Sequence, residues 1–319
     1  MYIVIAMIKT QKIKGMGIEV PNTSAFNIET PPGLPKMHFN LVSCARRGSG
    51  KTVSIVNLLK KLQDAKVLDR IFIISPTIKS NKKILEMIKV DEDDIYDEPT
   101  AASLDAVIEK GNEEATDYDE YIEQMKIYKK YLRYMKTGRG TLRDEDIFDL
   151  YDGETQTIQP PKHKWNGKKP VMALFIDDAQ GSPLFSVKSK IHNYTIKHRH
   201  LFELKGGGAL GLSLIFAVQS FKSNANGIPR SVRGNCTHIM LHRTKDINEL
   251  NDIADEFSGE VSRETFMKIY DYATSIDYGF LWIDLHKKKE DLSPYRRCFD
   301  EYIIIDEEKE KQKTFADNK

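Results

Sequence analysis

Residues 45–52 read ARRGSGKT and fit the phosphate-loop pattern, glycine, four residues and then Gly-Lys-Ser/Thr, at every fixed position but the first. Gly48 and Gly50 allow the backbone to bend so that successive N–H groups converge on phosphate oxygens. Lys51 adds a positive charge to the same site, and the Thr52 hydroxyl can bind Mg²⁺. The residues predicted to bind the nucleotide are Arg46, Arg47, Gly48, Ser49, Gly50, Lys51, Thr52 and Val53.

Ala45 stands where the first glycine of the pattern is usual. This residue only has to turn the chain out of the preceding strand, where a methyl group is tolerable. A chance match in a turn rich in Gly and Lys is the alternative interpretation. The context favours the motif, because the β-rich run 37–44 precedes the loop and an amphipathic helix follows it. The residues predicted to share one face of that helix are Val53, Val56, Leu59 and Leu62.

Two adjacent aspartates, Asp177 and Asp178, follow the apolar residues ALFI in the stretch ALFIDDAQ. A carboxylate at the end of a buried strand can hold Mg²⁺, commonly through a water, and we predict this role for Asp177. Asp178 is placed to polarise an attacking water, a role that is commonly given to glutamate. The alternative is that both residues only end a strand and cap the next helix. After a phosphate loop, the pair favours a hydrolase over a small-molecule kinase.

Gln219 ends a further apolar run, LSLIFAVQ. Polar side chains at the carboxyl ends of such strands face the crevice where ligands bind, so Gln219 is predicted to contact the γ-phosphate or the attacking water. Arg230 and Arg233 precede another strand, and a guanidinium suits the charge of a transferring phosphoryl group. Either arginine could act in a neighbouring subunit, which requires a ring. The alternatives are an ordinary polar residue at a strand end and surface arginines in a loop.

Basic residues are concentrated between the aspartate pair and Gln219, in a chain that is almost neutral overall. A polyanion backbone is a natural partner for such a cluster, and a solvated basic helix face is the alternative. Gly206, Gly207 and Gly208 are predicted to form a mobile loop. The cluster consists of Lys188, Lys190, His192, Lys197, His198, Arg199, His200 and Lys205, of which the lysines and Arg199 are the candidate DNA contacts.

The elements that position these residues follow an α/β pattern. Short apolar runs are separated by stretches long enough for crossover helices, which favours a mostly parallel sheet flanked by helices. Paired antiparallel strands are predicted near the C-terminus, in YGFLWIDL and YRRCFDEYIIID. The runs predicted to form the buried strands cover residues 37–44, 70–76, 171–180, 212–221 and 237–243.

The chain divides by composition into an arm, a large domain and a tail. The domain is predicted to carry an acidic, helical insertion in which little resembles a buried parallel strand. One helix is evident there from Tyr118, Tyr121, Met125, Tyr128, Leu132 and Met135, and TGRG follows it as a stop. The predicted boundaries are 1–36 for the arm, 37–306 for the domain, about 91–170 for the insertion, and 307–319 for a charged, flexible tail.

Composition places the chain among ordinary globular proteins, with 319 residues, 40% hydrophobic and 30% charged. A formal net charge of +1 provides no global signature of nucleic-acid binding, so any such contact must come from local clusters. Three widely spaced cysteines suggest neither a disulfide framework nor a zinc site and favour an intracellular setting. The apolar start MYIVIAMIK is too short to span a bilayer, and no membrane association is predicted.

These motifs together resemble the FtsK–HerA superfamily of P-loop ATPases, and most closely the genome-packaging ATPases of large eukaryotic DNA viruses, virophages and related elements. The resemblance covers roughly residues 38–243 and rests on GSGKT, IFIISPT, LFIDDAQ, RHL before LSLIFAVQSF, and IPRSVRGNCTHIML. It implies a RecA-like fold of the additional-strand, catalytic-glutamate type, with ATP and Mg²⁺ as cofactors. The implied roles are phosphate binding for Lys51, metal binding for Thr52 and Asp177, water activation for Asp178, sensing for Gln219 and an arginine finger for Arg233.

The resemblance also implies a partner and a task. Members of the family commonly work as rings, often hexamers, that pump double-stranded DNA. The leading hypothesis is therefore an ATP-driven translocase that packages a viral genome into a capsid, near capsid or portal proteins, in a cytoplasmic virus factory or in the virion. The alternatives are a helicase-like or conjugation-type DNA motor and a nucleotide-switched scaffold that is not a motor.

Overall fold

The structure is a computed structural model that describes most of the predicted domain. The apolar start and the charged tail lie outside the described residues, and the arm is described only from residue 28. The described residues are 28–80, 82–140, 143, 148, 150–152, 157–186, 188–222, 228–257, 261–288 and 291–305.

Helices and strands alternate along the chain as an α/β pattern requires. The strands are β1 (Asn40–Cys44), β2 (Arg70–Ile74), β3 (Ile95–Tyr96), β4 (Tyr151–Asp152), β5 (Thr157–Ile158), β6 (Met172–Asp177), β7 (Leu212–Val218), β8 (His238–His242), β9 (Phe280–Asp284), β10 (Tyr295–Arg297) and β11 (Glu301–Tyr302). The helices are α1 (Lys51–Asp64), α2 (Lys82–Leu85), α3 (Ala101–Thr137), α4 (Ile191–Lys197), α5 (Arg230–Arg233), α6 (Ile247–Phe257) and α7 (Arg263–Ala273).

A nine-stranded sheet forms the centre of the fold, in the order β11-β10-β9-β8-β1-β7-β6-β2-β3. The strands from β8 to β3 in this order pair in parallel, whereas β9, β10 and β11 add antiparallel pairs at one end. The mostly parallel sheet and the antiparallel C-terminal strands are thereby confirmed. β7 lies between the strand of the phosphate loop, β1, and the strand of the aspartate pair, β6, and it is the additional strand of the predicted fold.

Alternate residues of the central strands are buried on opposite faces of the sheet, because successive side chains of a strand point to opposite sides. On one face, Val42 and Leu174 share a core with apolar side chains from α3 to α7. On the other face, Leu41 and Phe175 share a second core with α1 and α2. Runs that are apolar at every position therefore mark strands covered on both faces.

The helix α1 buries a broader face than its sequence predicts. Val53, which was expected on the buried face, is 43% exposed in the first turn beside the phosphate loop. The buried apolar face consists of Ile55, Val56, Leu58, Leu59 and Leu62. The prediction for Val53 was wrong because this helix packs against the sheet only from its second turn onward.

The predicted insertion is partly integrated into the sheet and core. β3 pairs in parallel with β2 and adds an edge strand of two partly exposed residues, so the region still contains little that resembles a buried parallel strand. The helix α3 runs for 37 residues, with Thr100 as its N-cap and Gly138 as its left-handed C-cap, where the stop was predicted. Its first half packs into the core through Leu104 and Val107. β4 and β5 form a separate antiparallel pair.

Candidate nucleotide and catalytic site

The phosphate loop connects β1 to α1 with the backbone that the motif requires. Gly48 has a φ angle of 83° and Gly50 one of 87°, a left-handed conformation that side chains with a Cβ rarely adopt. Ala45 is not among the described residues with positive φ. Its N–H donates to Val218 O of β7 at 2.9 Å, so Ala45 continues the strand, and this extended role tolerates a methyl group. The N-terminus of α1 begins at Lys51, directly after the loop.

Lys51 and Thr52 meet the end of β6. Lys51 is 8% exposed, and its Nζ lies 3.3 Å from Asp177 Oδ1 and 3.5 Å from Asp178 Oδ1. Thr52 Oγ1 donates to Asp177 Oδ2 at 2.8 Å. The two motifs, separated by more than a hundred residues in the sequence, therefore form one site at the carboxyl edge of the parallel strands.

The surroundings of Asp177 fit a divalent cation. The residue is 1% exposed, and its Oδ1 accepts no well-oriented hydrogen bond within the described part of the chain, despite the nearby Lys51 charge. Burial raises the pKa of the Asp177 carboxyl against the opposing effects of Lys51 and Thr52. A buried carboxylate oxygen beside a threonine hydroxyl is a hard-oxygen donor set of the kind that Mg²⁺ prefers. Thr52 and Asp177 would hold the ion, which would neutralise phosphate charge when bound.

Asp178 occupies a strained and highly connected position. Its φ angle is 51°, in the left-handed region that residues with a Cβ adopt rarely and often at functional sites. Gln219 Nε2 donates to its Oδ1 at 3.2 Å, and Thr77 Oγ1 donates to its Oδ2 at 3.2 Å. Partial burial alone would raise the pKa of Asp178, but the Lys51 charge and these hydrogen bonds outweigh it and lower the pKa. Asp178 is thus a carboxylate at neutral pH, in the form that can accept a proton from water.

Three neighbours of the site were missed by the sequence analysis. Thr77 follows β2, and the rule that strand ends meet at one edge could have found it. Gln180 accepts a hydrogen bond from Gln219 N and donates to Ser220 O at 2.8 Å, which holds the end of β7 beside β6. Tyr278 lies against the loop, because a Cβ added to Gly50 would be 3.1 Å from the tyrosine Cδ1. No local pattern distinguishes Tyr278.

Replacing Thr77 by Val tests its contact with Asp178. A hydrogen bond to a charged group contributes about 1.5–3 kcal/mol, so turnover is expected to fall roughly tenfold or more. Because this bond stabilises the ionised carboxylate, its removal raises the pKa of Asp178, and the acidic limb of the pH–rate profile moves to higher pH. Thr116→Val in α3, where the hydroxyl donates only to Asn112 O, is the matched control. An unchanged acidic limb in Thr77→Val would contradict this positioning role.

The two candidate arginines differ in their surroundings. The Arg233 side chain is 13% exposed, its Nη1 lies 3.2 Å from Glu256 Oε2, and its guanidinium lies 5.2 Å from the centre of the Phe221 ring. Arg230 begins the short helix α5 and is exposed. Within the described residues, neither arginine contacts the aspartate pair of its own chain.

The basic cluster extends from the nucleotide edge of the sheet toward the opposite edge. Lys190 Nζ pairs with Asp105 Oδ1 at 2.7 Å, and Lys190 and Lys197 line an open groove between α3 and α4. His198 is buried, and its Nδ1 lies 3.2 Å from Nδ2 of Asn40, the first residue of β1. Burial lowers the pKa of His198, so this side chain is neutral at neutral pH and does not contribute to the positive charge of the cluster. The other candidate DNA contacts, Lys188, Arg199 and Lys205, are exposed.

The glycine run in this segment forms the turn of a short hairpin. Glu203 and Ala209 pair as an antiparallel bridge, and Leu204 N donates to Gly208 O. Gly207 and Gly208 have φ angles of 90° and 84°, which explains the choice of glycine. The backbone N–H of Lys205 donates to Asp119 Oδ2 of α3 at 2.8 Å, which connects the hairpin to the insertion.

No family model and no curated protein matches the chain. Among solved structures, it is similar to the genome-packaging NTPase B204 from Sulfolobus turreted icosahedral virus 2 in complex with ATP-gammaS, at 18% identity and a TM-score of 0.42, over 84% of this chain and 98% of that one. It is also similar to the pCW3 conjugation coupling protein TcpA with ATPgS, at 13% identity and a TM-score of 0.37, over 88% and 66% of the two chains. A third similar structure is EssC (ATPases 2 and 3) from Geobacillus thermodenitrificans, at 14% identity and a TM-score of 0.34, over 67% and 34%.

Within the described part of the chain, no helix combines the length and the apolar character needed to cross a membrane.

The order of the strands, β8-β1-β7-β6-β2, and the left-handed glycines of the phosphate loop are both properties of this chain itself. By these two features the chain has the P-loop NTPase fold with an additional strand, which is the fold that its resemblance to the FtsK–HerA superfamily predicts.

Proposed function

We propose that the protein is an ATP hydrolase that drives the translocation of double-stranded DNA and packages a viral genome into a capsid. The observation that carries the hydrolase part is the convergence of Lys51, Thr77 and Gln219 on the Asp178 carboxylate. A small-molecule kinase needs an acceptor site at this point, whereas a hydrolase needs an ionised, oriented base beside the phosphate loop. The sequence resemblance supports the choice of DNA and of packaging.

In this mechanism, N–H groups of the phosphate loop and the Lys51 ammonium hold the β- and γ-phosphates. Bound Mg²⁺ would neutralise phosphate charge. Asp178 accepts a proton from the water that attacks the γ-phosphorus. Its lowered pKa keeps the carboxylate ionised at neutral pH, so that it can accept this proton. Gln219 bonds the same carboxylate, so a change in the charge of Asp178 alters a contact at the end of β7.

A chain of contacts can transmit that change away from the nucleotide. Gln180 bonds both Gln219 N and Ser220 O, and the next residue, Phe221, donates its N–H to Glu249 Oε1 of α6. The ring of Phe221 lies under the Arg233 guanidinium. Release of the γ-phosphate can therefore shift the segment that carries the two candidate arginines. Such a shift would coordinate hydrolysis between neighbouring subunits of a ring. The expected assembly is a hexamer.

The stimulation of ATP hydrolysis by duplex DNA tests this proposal. We expect turnover to rise when intact, blunt-ended duplex is added to the assembled protein, and Lys51→Ala to reduce it by about 10²–10³-fold under both conditions. The matched control Lys61→Ala removes an exposed lysine from the same helix and is expected to leave turnover unchanged. ATP hydrolysis that ignores DNA in an assembled ring would contradict the motor function.

Mixed assemblies test whether an arginine acts in a neighbouring subunit. Arg230→Ala and Arg233→Ala subunits are each mixed with Lys51→Ala subunits, which lack a phosphate lysine but retain both arginines. Where the arginine works in trans, the mixture recovers turnover that neither variant shows alone, because finger arginines contribute about 10³–10⁵-fold. Arg233 would first have to leave Glu256, whereas Arg230 is already exposed. Recovery with neither variant would exclude a finger that acts in a neighbouring subunit at both positions.

The alternatives differ in measurable ways. A helicase-like or conjugation-type motor is favoured if a forked duplex is separated or if single-stranded DNA stimulates turnover more than intact duplex does. A nucleotide-switched scaffold is favoured by slow hydrolysis with partner affinity that differs between ATP and ADP.

The packaging role places the protein with capsid or portal-region proteins, in the host cytoplasm and in the virion.

A further inference from the structure

The second half of α3 and the residues directly after it form a basic surface that no role above uses. Between residues 124 and 140 the chain has six basic residues and no acidic residue, whereas residues 91–123 contain fourteen acidic residues and one basic residue. Within the helix α3, the acidic residues therefore all lie before residue 124. The six residues, called the basic arm below, are Lys126, Lys129, Lys130, Arg133, Lys136 and Arg139.

The basic arm is exposed, and no acidic side chain of the described residues neutralises it. No residue of α3 beyond Asp119 is buried, and every residue from Leu132 to Thr137 is exposed. Within the described part of the chain, none of the six basic side chains forms an ion pair. By contrast, Lys110 in the first half of the same helix bonds Asp94 Oδ1 at 2.8 Å. Cations that have no acidic partner among these residues are available to an external anion.

The positions of the charges along the helix suit an extended anion. Lys126, Lys130 and Arg133 follow one another at four- and three-residue steps, and these steps place side chains on one face of a helix. From Lys126 to Lys136 the axis rises about 15 Å, at about 1.5 Å per residue. Tyr128 and Tyr131 lie between the basic residues, with ring centres 6.4 Å apart. The helix presents a row of charges, not a single pocket.

We propose that the basic arm binds the sugar-phosphate backbone of duplex DNA and holds it at the edge of the sheet that is opposite to the phosphate loop. This inference rests on the proposed function. A helix about 10–12 Å in diameter matches a major groove about 12 Å wide, and contacts of this type are independent of sequence, as a packaging motor requires.

The arm continues the other basic surface of the chain. Lys205 N bonds Asp119, seven positions before Lys126, and Arg199 follows the residue that contacts the first residue of β1. The basic arm and the 198–205 part of the basic cluster therefore adjoin each other and lie away from the nucleotide edge. The acidic first half of α3 repels DNA and would confine the duplex to the end of the helix. This continuity favours DNA over the other anionic partners.

Two other occupants are less well matched. An anionic membrane surface requires an apolar face to insert, but between Lys126 and Arg139 the exposed large hydrophobic side chains are Leu132, Tyr134 and Met135, at 47%, 42% and 64% exposure. Leu132 and Tyr134 are two positions apart and do not share a helix face. Tyr121, on the same side of the helix, is already stacked on His163 at 5.0 Å. The acidic half of α3 in a second copy could also meet the arm, but exposed ion pairs contribute only about 0–1 kcal/mol each.

The test compares a neutralised arm with an equal neutralisation elsewhere. The arm variant carries Lys126→Gln, Lys129→Gln, Lys130→Gln and Arg133→Gln, changes that retain high helix propensity. The control variant carries Lys61→Gln, Lys66→Gln, Lys83→Gln and Lys89→Gln at exposed positions around α1 and α2. Affinity for a blunt duplex of about 30 base pairs is measured between about 50 and 200 mM salt, a range in which phosphate contacts change affinity strongly. Assembly mass and DNA-free ATP turnover are recorded in parallel.

For the arm variant we expect DNA affinity to fall about tenfold or more at about 0.1 M salt, and the slope of log K against log salt to become shallower by roughly 0.9 for each phosphate that the variant no longer neutralises. The control variant and the DNA-free turnover of both variants are expected to stay near wild type. An unchanged slope in the arm variant, with wild type still stimulated by DNA, overturns the inference but not the proposed function.

The remaining outcomes also decide the matter. If wild type neither binds duplex nor is stimulated by it, the proposed function fails and the inference fails with it. If the arm variant no longer binds vesicles of anionic phospholipid while its duplex affinity is unchanged, the arm is a membrane surface. If its assembly mass falls and duplex affinity is normal at equal assembly, the arm binds a second copy. Each of the last two results overturns the DNA proposal.

Discussion

Replacing Asp178 by Asn is expected to reduce ATP turnover by about 10²–10⁴-fold, the usual contribution of a general base, while ATP binding is retained. Asparagine keeps the size of the side chain and can still bond Gln219 or Thr77, but it cannot accept a proton from water at neutral pH. The substitution also removes one of the two carboxylates that pair with Lys51, which is the lysine that binds phosphate. ATP affinity is therefore expected to stay equal to wild type or to increase.

The measurement is single-turnover hydrolysis together with equilibrium binding of ATP. The matched control is Asp64→Asn, which removes an exposed carboxylate from α1 that pairs with Lys60. Its turnover is expected to equal that of wild type. Turnover near wild type in Asp178→Asn would remove this residue from the role of base, and another carboxylate at the edge of the sheet would then have to fill it.

Replacing Arg70 by Met is expected to destabilise the protein by about 3 kcal/mol, because breaking a buried ion pair leaves the two buried carboxylates with fewer charged partners. Arg70 Nε and Nη1 lie 2.7 Å from Asp94 Oδ2 and 2.8 Å from Glu114 Oε1, and these two carboxylates are 1% and 4% exposed. Lys110 and Trp165 complete the network. Arg70 thus connects β2 to the start of the insertion. Its replacement also removes the ion pair with Glu114 that holds α3 against β2.

Urea unfolding at neutral pH measures this effect, and Lys79→Met is the control, since its pair with Asp97 is 56% and 59% exposed and little change in stability is expected. Burial alone would raise the pKa of Asp94, but Arg70 and Lys110 outweigh it, so the folded-state pKa is lowered. The stabilisation is therefore present above the ordinary carboxyl pKa of about 4 and is lost as pH falls through the lower, folded value. The difference between wild type and Arg70→Met is expected to shrink below about pH 4, and a constant difference would contradict the assignment.

Local sequence patterns were sufficient to locate the phosphate loop and the core strands. The loop pattern depends on backbone freedom at Gly48 and Gly50, a property of the residues themselves, and both glycines have left-handed φ angles in the structure. The strand assignments succeeded because a strand buried on both faces must be apolar at every position. The ends of those strands then indicated Asp177, Asp178 and Gln219 as one site.

Other features depended on contacts that no local pattern encodes. Val53 has the right spacing for the buried face but lies in a turn that the sheet does not cover. The two-residue β3 is too short to leave a periodic signal. His198 was counted as a charge, yet its place beside Asn40 removes it from water and lowers its pKa. In each case the outcome depends on which distant segment packs against the residue.

The sequence by itself determined that this protein has a phosphate loop, an acid pair at a strand end and a parallel sheet that joins them, because these follow from residue type and short-range spacing. Only the tertiary structure decided that Thr77 bonds Asp178, that Arg233 faces Glu256 and that the first half of α3 is packed whereas its basic end is exposed. Such facts are set by the pairing of strands and the path of a helix over the sheet, and these depend on contacts between residues far apart in the chain.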